Sequence, residues 1–219
     1  LNYYYGNRSY AVREINKGIE PVELKDWKIS NPVGTYNDLS HIERQAIRLN
    51  CLKEQFYLCA YCCQSIDEDN CMNEHVEARS IAPHRSLDFS NIVASCKSNR
   101  QCDDAHDSQP LPLTPLIAAC ETELKFKISG RVEGLTQRAK ESIRVLNLGD
   151  TFQNNRSLIE KRKQLSHALL FTNGIDPTKG IDDDELIEMV INDIKIPQAG
   201  KLNGFSPVVV NILEGWLAS

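Results

Sequence analysis

The chain has 219 residues, 41% of them hydrophobic and 25% charged, an ordinary balance for a water-soluble globular protein with room for one well-filled core. Its formal net charge of −5 argues against a protein that coats nucleic acid by bulk electrostatics, because such binding needs Lys and Arg to neutralise phosphates. Local basic residues, or a partner that does the gripping, stay compatible with that charge. No stretch approaches the roughly 20 apolar residues that cross a bilayer and no signal peptide opens the chain, so a cytoplasmic protein with no membrane contact is expected.

Residues 1–11 are rich in Tyr and Asn and read as a weakly ordered lead-in. Residues 12–38 read as an irregular, mostly extended arm, with Pro21, Pro32 and Gly34 as punctuation. Over residues 38–58 Leu39, Ile42, Ala46, Leu49, Leu52 and Phe56 recur at spacings of three and four, which predicts an amphipathic helix capped by Asp38 or Ser40. Residues 59–109 carry most of the Cys and His; polar loops and Pro83 break them, so any strands must be short. Pro110, Pro112 and Pro115 make an extended connector. In residues 123–134 Leu124, Phe126 and Ile128 alternate before a Ser129-Gly130 turn, which predicts a hairpin. Helices are expected over 137–148, 155–171, 183–194 and 207–217, the second ending near Asn173-Gly174 and the last capped by Ser206 with Pro207 at its first position. The chain thus divides into an N-terminal extended arm (1–37), a helix plus a cysteine-rich core (38–109), and a connector, hairpin and helical region (110–219).

Of the eight cysteines, Cys59, Cys62, Cys63 and Cys71 crowd together, and Cys96 and Cys102 follow. In a reducing compartment such clustering reads as metal ligation rather than disulfide formation. Cys59-Ala60-Tyr61-Cys62 is a knuckle: two thiolates with two residues between them can grip one tetrahedral zinc. Cys96 and Cys102 are the natural second pair, with the loop 97–101 bulging outward between them. Cys63 could stand in for Cys62, although the spacing favours Cys62. Cys51 and Cys120 are expected to be packing residues, and Cys71 has no assigned role.

Between the two cysteine pairs lies Asn73-Glu74-His75-Val76-Glu77-Ala78; Asn91 follows within residues 87–92, and Asp103-Asp104-Ala105-His106-Asp107 comes directly after Cys102. An imidazole with an ordinary pKa near 6.5 can take a proton from water at cell pH, which makes His75 the candidate general base for phosphodiester hydrolysis. If the segment is a strand, Glu74 projects to the opposite side, where its carboxylate can face a hard cation such as Mg²⁺ or Mn²⁺. The order acid–His, then Asn, then a polar residue opening a helix, all framed by cysteines, resembles the HNH endonucleases over about 50 residues.

That resemblance implies an α+β, mainly helical fold: a zinc-stapled ββα-metal core wrapped by N- and C-terminal helices. It implies that Asn91 ties the loop between the strands and that Asp103, with Glu74, ligates the catalytic Mg²⁺ or Mn²⁺. His106 stands where many HNH proteins carry Lys and is an alternative ligand or a phosphate contact. Arg79, Arg85, Lys97 and Arg100 are candidate phosphate contacts; His41, His84 and His167 read as ordinary surface or core residues.

Further segments extend the likeness. Arg13-Glu14-Ile15-Asn16-Lys17-Gly18, Tyr36-Asn37-Asp38-Leu39, Leu58-Cys59-Ala60-Tyr61-Cys62-Cys63, Leu87-Asp88-Phe89-Ser90-Asn91 and Val145-Leu146-Asn147-Leu148 look like the PtuB family. These are HNH effector nucleases of Septu anti-phage systems and of a retron-associated version. The resemblance implies a nuclease acting on nucleic acid, DNA before RNA, in a hetero-oligomeric complex with an SMC- or ABC-like ATPase. The apolar helix from Pro207 would then either dock on that partner or complete the chain's own core. The competing reading is a zinc-stapled assembly module with an inactive HNH site. A transcription-type zinc finger is disfavoured because no basic recognition helix follows the knuckle.

Overall fold

Helix α2 (His41–Glu54) organises the first half of the chain in a computed structural model that describes residues 14–179, 181 and 183–218. Ser40 caps it with a reciprocal box: its hydroxyl accepts from the Ile42 amide, and the Glu43 carboxylate accepts from the Ser40 amide. The apolar stripe continues to Phe56, but the helix stops two residues earlier. Phe56 and Tyr57 take positive φ values of 50° and 61°, and the Tyr57 and Phe56 amides bond back to the Leu52 and Lys53 carbonyls. This is a Schellman stop built without glycine, which a periodicity argument does not see.

The expected extended arm is corrected in part. Residues 1–13, and with them the lead-in, lie outside the described residues. Val22–Ser30 form a helix, α1, which begins after Pro21 and packs on α2 through the buried Leu24 and the half-buried Trp27. With so few apolar positions α1 has almost no amphipathic signal, and contact with α2 decides its state.

After α2 come two short strands, β1 (Cys71–His75) and β2 (Ile92–Cys96), paired antiparallel with Cys71 opposite Cys96 and His75 opposite Ile92. One turn of helix, α3 (Asp103–His106), directly follows Cys102. Gln55 joins α2 to this unit as a surrogate strand. Its amide nitrogen donates to the Leu58 and Ala94 carbonyls, both at 2.8 Å, and its oxygen accepts from the Ala94 amide at 2.7 Å. Burying Gln55 is tolerated because both ends of the amide are satisfied.

The second half holds a short helix α4 (Ala119–Thr122), the expected hairpin as β3 (Leu124–Phe126) with β4 (Val132–Gly134), and helices α5 (Gln137–Val145), α6 (Phe152–Thr172), α7 (Asp184–Ile194) and α8 (Ser206–Leu217). Arg162 of α6 is fully buried and clamps this region. Its guanidinium donates to the carbonyls of Gly130 in the hairpin turn (2.7 Å) and Leu148 (3.0 Å), and stacks over Phe126. Helix α8 is apolar nearly all round and accordingly buried. Phe205, Val208 and Ile212 enter the large core shared with the cysteine-rich unit, while Val209, Val210 and Leu213 close a second core with α6 and α7. It therefore completes the chain's own core. Ser206 is not its cap: Phe205, at φ 63°, is, and the Ser206 hydroxyl is buried inside the first turn. No helix among the described residues is long and apolar enough to cross a membrane.

Candidate functional site

The knuckle and the end of β2 bring four thiols together. Cys59, Cys62, Cys96 and Cys102 are all buried, with sulfur atoms within 4.8 Å of one another. Zinc at about 2.3 Å from each thiolate of a tetrahedron would space the sulfurs by about 3.8 Å. Cys59 and Cys102 lie 3.8 Å apart, and Cys62 and Cys96 lie 4.0 Å apart, so the residues present fit that ion. Cys63 is buried but is not one of the four; its backbone turns away at φ 65°. Cys71, on β1, and Cys51 and Cys120 are also buried outside the cluster.

The loop 97–101 does not simply bulge outward. Arg100 and Cys102 adopt positive φ, which turns Gln101 back over the sulfurs; its amide nitrogen lies 3.9, 3.7 and 4.0 Å from the Cys62, Cys96 and Cys102 sulfurs. The Gln101 oxygen accepts in turn from Asn155 at 3.1 Å. Asn155 leaves helical geometry to make this bond and one to the Asn147 carbonyl, and its own oxygen restarts α6 by accepting from the Leu158 amide. Four thiolates on one zinc carry excess negative charge, and N–H donors aimed at them offset it.

Strand alternation separates the two central residues of the motif. His75 shares a face with Asn73 toward Tyr36. Its ring meets the Tyr36 ring edge-on at 4.7 Å, and Asn73 donates to the Tyr36 hydroxyl. The His75 Nε2 lies 2.9 Å from the Ser86 carbonyl oxygen, which can only accept, so Nε2 carries the proton and Nδ1 is left as the basic nitrogen. Burial pushes the His75 pKa below its ordinary 6.5, the Ser86 hydrogen bond opposing this and the Arg79 charge adding to it.

Asn91 is buried directly before β2. Its oxygen accepts from the Glu77 amide at 2.8 Å, and its nitrogen donates to the Glu77 carbonyl at 2.9 Å. Both bonds span the loop between the strands.

Glu74 faces the opposite side. Its Oε1 accepts from the Tyr61 hydroxyl at 3.0 Å and sits 2.5 Å from His106 Nδ1. Asp103, at the start of α3, brings its carboxyl close enough to Glu74 for the two to interact electrostatically. Burial raises Glu74, but the interactions with His106 and Asp103 outweigh it and hold the carboxyl below its usual value. Burial and the adjacent Glu74 push Asp103 up to about 8. Two carboxyls squeezed together in this way are the donor set a hard divalent cation would relieve. Glu74, Asp103 and His106 do not, however, converge as a second group of three ligand atoms among the described residues. His106 is 1% exposed, and its Nε2 has no hydrogen-bond partner among the described residues.

Among the basic candidates, Arg85 is paired with Glu77 and Asp88, and Lys97 is tied to the Asp69 carbonyl. Arg79 is exposed, lies over the Tyr36 ring beside His75, and bonds to Asn37. Sequence reasoning missed Tyr36, Tyr61, Ser86, Gln101 and Asn155. For two of these a signal existed: Tyr61 lies inside the knuckle, and Gln101 immediately precedes Cys102.

Fold and site together define a mixed α/β protein in which a four-cysteine cluster able to hold zinc backs a strand–strand–helix unit bearing a His, an Asn and paired carboxyls. No family model matches the chain. It is similar to an Escherichia coli protein described as "Retron Ec83 putative HNH endonuclease", with 30% identity over 104 residues, 42% of this chain and 40% of that protein. The match covers less than half of this chain and less than half the length of that relative.

Proposed function

We propose that the chain is a metal-dependent HNH endonuclease hydrolysing phosphodiester bonds, DNA before RNA, as the effector of a PtuB-like anti-phage system. The observation that carries the reading is the His75–Ser86 hydrogen bond on the face of β1 opposite the Glu74–Asp103 pair. His75 Nδ1 takes the proton of the attacking water, and burial keeps the ring neutral at pH 7. Asn91 holds the loop that supplies the Ser86 carbonyl to His75. Glu74 and Asp103 would hold Mg²⁺ or Mn²⁺, which when bound stabilises charge on the scissile phosphate and the leaving oxygen. His106, buried against Glu74, orients that carboxylate; its burial disfavours a phosphate contact. Arg79 is the cation best placed to meet the phosphate beside His75.

A retron-linked setting draws support from the printed name of the relative, and an SMC- or ABC-like ATPase partner would supply the grip that a chain of net charge −5 lacks. The test is incubation of the chain, with and without an SMC- or ABC-like ATPase, with DNA and with RNA in Mg²⁺ or Mn²⁺, against His75→Ala. Metal-dependent cutting that His75→Ala abolishes while zinc is retained supports the reading. Cutting unchanged in that variant removes His75 as base, and absence of cutting in every arm favours the assembly module.

A further inference from the structure

Tyr61 belongs to the zinc knuckle by sequence and to the opposite site by contact. It lies between Cys59 and Cys62, is 1% exposed, and its hydroxyl ends 3.0 Å from Glu74 Oε1. That same oxygen receives His106 Nδ1, and the Tyr61 and His106 rings meet edge-on at 6.3 Å. Glu74 Oε1 is therefore held from two directions, by a donor from the knuckle and by one from α3. A carboxylate on a short strand otherwise has several rotatable bonds with which to miss a cation, and two fixed donors on one oxygen leave the other presented in a defined direction. Buried this deeply, the Tyr61 hydroxyl needs an acceptor to offset its lost hydration, and Glu74 Oε1 supplies one.

We propose that Tyr61 is a positioning residue for the divalent-cation site: the zinc knuckle orients Glu74 through the Tyr61 hydroxyl, so that the structural and catalytic ions share one hydrogen-bonded frame. This rests on the reading of Glu74 as a cation ligand. Zinc does not need the hydroxyl, because the four sulfurs alone make its site. The predicted effect is therefore on the second cation and not on the first.

The experiment is Mn²⁺ binding to the zinc-loaded full chain, followed by calorimetry and by the Mn²⁺ electron paramagnetic resonance signal, in wild type, Tyr61→Phe and Glu74→Gln. Zinc content and melting temperature are measured alongside. Tyr61→Phe should keep its zinc and its fold yet bind Mn²⁺ about 10-fold more weakly, the usual scale for losing an outer-shell partner. Glu74→Gln should be weaker still. Equal Mn²⁺ affinity in wild type and Tyr61→Phe overturns the proposal while leaving the nuclease reading intact. Loss of zinc or of the fold in Tyr61→Phe also overturns it, by assigning the hydroxyl to the knuckle itself. A wild type that binds no Mn²⁺ overturns both this inference and the cation site on which it rests.

Discussion

His75 Nε2 lies 2.9 Å from the backbone carbonyl of Ser86, a bond across the loop between the two strands that makes one ring nitrogen a donor and leaves the other basic. A carbonyl partner fixes the tautomer without adding a charge, so the imidazole stays neutral in its buried setting. The consequence is measurable in the pH profile.

Cleavage at saturating Mn²⁺ should be flat above pH 7 and fall about tenfold per pH unit on the acid side, with an inflection below the ordinary 6.5 of histidine. The sign follows from burial: the folded-state value is depressed, so the base protonates only at lower pH than a free imidazole. The same depression means that any stability gained by burying neutral His75 is present above 6.5 and lost as pH falls through the folded-state value. Single-turnover rates across pH 4.5–8.5 check this, and an inflection at or above 7 contradicts it.

Asn91→Ala should destabilise the protein through the loop rather than the metal sites. It leaves the Glu77 amide and carbonyl without the two bonds they make to Asn91. Unsatisfied groups of this kind cost about 2 kcal/mol in sum, or roughly 4–8 °C in melting temperature for a chain of this size. Zinc content should be unchanged, and amide exchange should quicken at Glu77. A melting temperature within a degree of wild type would show the clamp to be idle.

Metal analysis of the purified chain should find one zinc, and stripping it with a strong chelator should unfold the cysteine-rich unit, because a zinc held by the four sulfurs would stand in for core between these loops. Gln101→Ala should still bind zinc but surrender it faster to a competing chromophoric chelator, since the amide donor facing three sulfurs is gone. A release rate identical to wild type would deny Gln101 that role.

Asp103→Asn should weaken Mn²⁺ binding yet raise the melting temperature of the Mn²⁺-free protein at pH 8. Asp103 is pushed up to about 8 when folded, from 3.8, so its ionisation opposes folding, and the penalty grows as pH climbs from about 4 to 8. With the side chain only partly buried, the gain is about 1 kcal/mol after solvent screening, or 2–4 °C. Scanning calorimetry at pH 5 and pH 8 separates the effect, which should be small at pH 5 and larger at pH 8. A destabilised variant at pH 8 would mean that the carboxyl holds a favourable partner.

Particular residues show what was legible in the sequence and what was not. The Cys59–Cys62 spacing, the Asn91 position and the hairpin at residues 123–134 are local patterns, and each reappears as a local geometry: two sulfurs on one knuckle, two bonds across one loop, three paired residues on each strand. Helix α1 was invisible because its helical state comes from packing on α2, not from its own pattern. The early stop of α2 was hidden because Phe56 and Tyr57 take a conformation usually left to glycine, held there by backbone bonds to Leu52 and Lys53.

At the site, sequence by itself determined the residue types and their order: thiols able to take zinc, a histidine beside an acid, an asparagine, and an acid opening a helix. Residue type fixes which protons, charges and lone pairs are available, and that much can be read along a line. Only the tertiary structure decided which atoms meet. The tautomer of His75 depends on a carbonyl at Ser86, the direction of Glu74 on hydroxyl and imidazole donors from Tyr61 and His106, and the cover over the sulfurs on Gln101 held by Asn155 from a helix far along the chain. Hydrogen bonds lose their strength within a few tenths of an ångström, so these partners are set by how the elements pack and leave no spacing rule in the sequence.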